Sequence, residues 1–64
     1  MESVKTIKKA IELLKQRNQM LEASKIKAMQ DRDFTLFGNI QRMISQNSSM
    51  ILDFEFRISK MKDN

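Results

Sequence analysis

Proline, cysteine, histidine, tryptophan and tyrosine are absent from this sequence of 64 residues, and glycine occurs once. Each absence excludes something. Without Cys or His there is no structural zinc site of the usual kind and no thiol chemistry. No Ser–His or Cys–His nucleophile pair can be assembled. A disulfide framework is also excluded, so a core this small must be completed some other way. One Gly and no Pro leave few tight turns, which counts against an all-β fold. No apolar run approaches the ~18 residues of a membrane span. The N-terminal stretch MESVKTIKKA lacks the apolar segment of a secretory signal, so the expected location is cytoplasmic.

What is present is helical in pattern. From Val4 the apolar residues step by three and four through Ile7, Ile11, Leu14, Leu21 and Ala28. Asn18 and Lys25 interrupt the series as polar residues at heptad position a. A second series runs Phe37, Ile40, Ile44, Asn47, Ile51, Phe54, Ile58, Met61, with Asn47 as its polar intruder. The two series are out of phase. Continuing the first would place Arg32, Thr35 and Asn39 in the seam, so the chain is expected to turn near Asp31-Arg32-Asp33. The fold class expected is all-α: an antiparallel, coiled-coil-like two-helix hairpin forming one unit. Helix one should span about 2–30, the turn about 31–34 and helix two about 35–62.

Folding the chain about Arg32 and Asp33 pairs the two series. Val4 meets Met61, Ile11 meets Phe54, Leu14 meets Ile51 and Leu21 meets Ile44. Every a residue then faces a d residue, as an antiparallel pair requires. That a-to-d match does not by itself require Asn18 and Asn47 to fall in one layer, and they do. A buried Asn commonly fixes register and orientation, and two in one layer can satisfy each other's amides. Asp31 or Asp33 is the expected N-cap of helix two. The stretch from Ser45 to Ser49 is poor helix material, but the heptad runs through it without a phase change.

Three surfaces are left for partners. Positions g and c carry Leu13 and Met20 on helix one and Leu36, Met43 and Met50 on helix two. A bare hairpin of this length buries too little to be comfortable alone. That side is therefore expected to bury itself on a second copy, giving a homodimeric four-helix bundle. On the outer face of helix two, Leu52 and Phe56 lie one turn apart beside Arg57 and Lys60, an arrangement suited to a hydrophobic anchor for a larger protein. At the open end, Lys5, Lys8, Lys9, Arg57, Lys60 and Lys62 gather, offset by Glu2, Glu55 and Asp63. A pI near 9.8 permits an RNA or DNA partner there without specifying one. Ile26, Met29 and Phe34 are expected to cap the core beneath the turn.

Catalysis has little to draw on. Asp31 and Asp33 are close in the turn, while Asp53 and Glu55 point to different helix faces. There is no Gly-rich phosphate loop, and a solid bundle offers no deep pocket. No cofactor, metal or small-molecule substrate is expected, and the chain reads as a non-enzyme.

The architecture is similar to several unrelated small hairpins: plasmid copy-control RNA binders of the Rop type, small type III secretion co-chaperones, and small phosphatases with a Ser-Gln-Glu-Leu-Asp signature. These are likenesses of fold. Ser45-Gln46 is followed here by Asn47-Ser48-Ser49, so the acidic residue of the phosphatase signature is missing and its activity does not carry over. Helix one has no aromatic residue of the kind Rop-type RNA binding uses, because all four Phe lie at or beyond residue 34. The expected function is a protein-binding module: a small regulator, inhibitor or co-chaperone, with Lys-, Ile- and Asn-rich usage compatible with a bacterial or phage genome. The alternative is a basic hairpin that binds RNA or DNA.

Overall fold

Ser3 opens the first helix. Its hydroxyl accepts the backbone N–H of Thr6 at 3.1 Å and lies 3.0 Å from the Thr6 hydroxyl. A short acceptor there satisfies one of the four N–H groups that a helix start leaves unpaired, worth about 1 kcal/mol. Helix α1 then runs Val4–Gln30, and α2 runs Phe34–Lys62. The structure, a computed structural model, describes residues 3–62, and for Lys62 the backbone alone. Glu2, Asp63 and the Lys62 side chain, counted at the open end from sequence, lie outside the described residues. Among those residues there is no strand, so the fold is an all-α hairpin, about 50 Å long and 16 by 14 Å across.

The connection is three residues, one shorter than expected, and every backbone N–H in it is used. The N–H of Asp33 donates to the Ala28 carbonyl at 2.9 Å and that of Arg32 to the Met29 carbonyl at 3.0 Å. This is the Schellman closure, which satisfies carbonyls otherwise orphaned at a helix end. It requires a left-handed residue, and Arg32 supplies it at φ 57°. Asp33 then caps α2: its carboxylate accepts the Leu36 N–H at 3.1 Å, and its carbonyl takes the Phe37 N–H at 2.9 Å. Of the two candidate caps, Asp33 performs the role, while Asp31 closes α1.

The seam follows the heptads. Ile7, Ile11, Leu14 and Ala28 on α1 and Ile40 and Ile44 on α2 are buried. Val4, Asn18, Leu21 and Lys25, with Phe37, Asn47, Ile51, Phe54 and Ile58, are half-buried. Among the described residues outside the two series, only Ala10 is also half-buried, where a methyl group fits at the edge of the seam. Met61, the last seam residue, is 39% exposed. Its predicted partner is Val4, in the first turn of α1, so the hairpin's open end has little left to cover it.

Ser45 to Ser49 stays helical within α2. The polar side chains that make this stretch a poor helix former compete for their own backbone in other contexts. Here two of them are engaged across the seam. Asn47 Nδ2 donates to Asn18 Oδ1 at 3.0 Å, and Asn18 Nδ2 reaches the Ser48 hydroxyl at 3.4 Å. Lys25, the second polar intruder, keeps its stem in the seam and turns its head out. Its ammonium donates to Gln41 Oε1 at 3.0 Å, pairs with Glu22 at 3.1 Å, and lies 5.9 Å from the centre of the Phe37 ring.

One expectation fails at the turn. Ile26, Met29 and Phe34 are all exposed and do not cap the core. Ala28, Ile40 and Ile44, with Leu21 and Phe37 against them, close the core there instead. A three-residue turn leaves no slack for side chains to fold back beneath it.

Candidate interaction surfaces

The five residues assigned to self-association all face solvent in the single hairpin. Met20 is 72% exposed, and Leu13, Leu36, Met43 and Met50 are exposed as well. Their placement follows from the seam. With positions a and d turned inward, g and c of each helix must lie to one side of it. Met20 and Met43 line one shallow hollow across the two helices, together with Arg17, Leu21, Gln46 and Asn47. That hollow sits directly over the asparagine layer. Arg17 is the one charge in it.

The outer patch of α2 is also open. Leu52 is 67% and Phe56 60% exposed. Lys60 lies over the Phe56 ring, 5.1 Å from its centre, a geometry worth about 0.5–1 kcal/mol at an exposed site. The Arg57 guanidinium lies 5.5 Å from the centre of the Phe54 ring and 3.7 Å from the Asp53 carboxylate. The sequence therefore places Leu52, Phe56, Arg57 and Lys60 on one stretch of helix, and the structure shows their cations already engaged with neighbouring rings. The spacing of four between Phe56 and Lys60, and between Asp53 and Arg57, is the signal that makes these contacts legible.

Met50 links this patch to the face assigned to self-association from sequence. It lines a second hollow with Ser49, Leu52, Asp53 and Phe56. The two apolar surfaces, separate in the heptad assignment, are thus continuous around α2, with Asp53 between them.

The open-end cations divide into two groups. Lys5, Lys8 and Lys9 line a hollow with Val4 and Glu12, and Lys8 shares a second with Ile11, Glu12, Glu55 and Ile58. Arg57 and Lys60 line a different one with Ile7, Phe56 and Met61. Glu12 and Glu55 lie within the lysine group, which lowers its local charge. None of the described helices is long and apolar enough to cross a membrane. No protein-family model matches this chain, and no curated protein or solved structure matches it either.

Proposed function

We propose that this chain is a non-enzymatic protein-binding module, a small regulator, inhibitor or co-chaperone that works as a homodimeric four-helix bundle and presents its outer helix faces to a larger protein. The observation that supports this reading is the apolar surface running from Met43 and Met50 around α2 to Leu52 and Phe56. Monomeric domains rarely leave a continuous apolar surface uncovered. Met side chains suit it, because an unbranched thioether adapts to a partner groove. One part of the surface serves the second copy and the other serves the partner. The lysines at the open end steer an acidic partner toward Phe56 rather than grip it, since rim charges act on association rate more than on residence time.

The test has two arms. Sedimentation equilibrium of the free protein should give twice the chain mass. Capture from the native host should retain one specific protein with the unaltered chain and lose it with the Leu52→Ala, Phe56→Ala double variant. Retention of RNA in place of protein, with a steep loss at raised salt, overturns the reading in favour of nucleic-acid binding.

A further inference from the structure

The heights of residues along the hairpin say more than that two copies meet. The Asn18–Asn47 hydrogen bond and the hollow shared by Arg17, Met20, Met43 and Gln46 fix which residues of α1 and α2 lie level with one another. Counting ~1.5 Å per residue from there, Met20 lies within about 3 Å of the height of Met43, Leu13 of Met50, Arg17 of Gln46, and Ser24 of Asn39. On the exposed side, Leu13 and Met20 of α1 therefore each lie within a side chain's reach, in height, of a Met of α2.

We infer that the second copy docks with its two-fold axis parallel to the hairpin, so that α1 of each copy lies on α2 of the other and both turns point to the same end. This inference rests on the self-association proposed above and gives it a geometry. Rotation about an axis along the hairpin leaves every height unchanged. Leu13 then meets the partner's Met50, and Met20 meets the partner's Met43. Arg17 meets the partner's Gln46, whose amide oxygen accepts from the guanidinium.

The competing closed arrangement sets the axis across the hairpin and lays α1 on its own counterpart, inverted. Leu13 then meets the partner's Met20. Arg17, midway between them, meets the partner's Arg17 inside an apolar stripe. Two like charges brought together at the centre of an apolar interface are the kind of contact that excludes a wrong partner. The axis along the hairpin avoids it with the same apolar residues.

The area is sufficient. The exposed parts of five Leu and Met side chains on each copy amount to on the order of 1,000 Å² over both, about the floor for a specific interface. The arrangement also makes the dimer unlike at its two ends. Lys5, Lys8 and Lys9 of both copies collect at one pole, and both turns lie at the other. A partner approaching the basic pole meets two identical surfaces. Repulsion within that pole is screened by salt, so the dimer should tighten as ionic strength rises toward ~0.15 M.

A spin label decides the axis without touching the interface. The chain has no native thiol, so Gln30→Cys, exposed beside the turn, can be labelled alone. With both turns at one end, the two labels should lie roughly 20 Å apart, from helix spacings of ~8–10 Å across the bundle plus the label arms. With the axis across the hairpin near Arg17, they should lie on the order of 40 Å apart, from a rise of ~1.5 Å per residue out and back. The short distance, with a dimeric mass, supports the inference. The long distance with a dimeric mass overturns the axis and leaves self-association standing. A monomeric mass with no coupling between labels overturns both. Mixing separately prepared Met20→Cys and Met43→Cys proteins gives an independent check: oxidation should join unlike chains. If Leu13→Cys joins Met20→Cys instead, the axis lies across the hairpin.

Discussion

Asn47 donates its side-chain amide to the side-chain oxygen of Asn18 at 3.0 Å, between two apolar layers, Leu14 with Ile51 and Leu21 with Ile44. Each asparagine is half-buried, so neither amide is fully hydrated if its partner is lost. Replacing Asn18 alone with Leu should therefore destabilise the hairpin by about 1 kcal/mol, the lower end of the cost of stranding a buried amide. Replacing both should stabilise it, because two apolar side chains then fill the layer and no polar group is stranded. A double-mutant cycle read by thermal melts checks this. Single changes that simply add to the double would mean that the two residues act independently.

The only glycine is in the wrong place for stability, and the position that wants glycine holds arginine. Arg32 adopts φ 57° at the closure of α1, a conformation that costs a residue with a Cβ about 1 kcal/mol or more. Gly38 lies inside α2 at a conformation any residue adopts, and a Cβ built there meets nothing within 4 Å. Arg32→Gly and Gly38→Ala should each raise stability by about 0.5–1 kcal/mol, the second by helix propensity alone. The two sites share no partner, so the gains should add. Denaturant midpoints of the two singles and the double test both claims.

Much of this fold is legible in the sequence because a two-helix seam is a one-dimensional problem. Once the heptads and the break between them are read, the asparagine layer and the buried set follow. The details that escape depend on backbone geometry that residue type does not announce. Arg32 in the left-handed region has no sequence signal, since glycine or asparagine is the usual marker. Ser3 as N-cap is a Ser-x-x-Thr start, and the familiar signature has Glu or Gln at the last position. The exposure of Ile26, Met29 and Phe34 follows from the shortness of the turn, which hydrophobicity alone cannot reveal. The engagement of Lys60 with Phe56 and of Arg57 with Asp53 is readable from spacing. The join between the g-side stripe and the outer patch through Met50 needs three dimensions.

Met43 and Met50 carry the dimer prediction. Burying a Met side chain contributes about 2 kcal/mol, and two-fold symmetry doubles each loss. Met43→Lys sets a cation beside Arg17 in the hollow shared with Met20. Met43→Lys or Met50→Lys should therefore yield a monomer with much reduced helicity, read by sedimentation and far-UV circular dichroism. An unchanged mass and melting temperature would sink the assignment of this face.

Leu52 and Phe56 should behave in the opposite way. They point away from the seam, and their exposure of 67% and 60% leaves little buried area to lose. Phe56 does have a local role, because Lys60 lies over its ring, and that contact is worth about 0.5–1 kcal/mol at an exposed site. Alanine is also the better helix former at both positions, which offsets part of that loss. The Leu52→Ala, Phe56→Ala double variant should thus melt within a few degrees of the unaltered chain and sediment with the same mass. Its partner binding should nevertheless be lost, because an aromatic anchor flanked by a second apolar side chain is where binding energy concentrates. Lys60→Ala should slow association and flatten its salt dependence while leaving dissociation nearly unchanged. A collapse of the melt in the double variant would place these residues in an interface between copies. The hollow that joins Met50 to Leu52 and Phe56 would then belong to the dimer, and the partner would have to be sought at Lys5, Lys8 and Lys9.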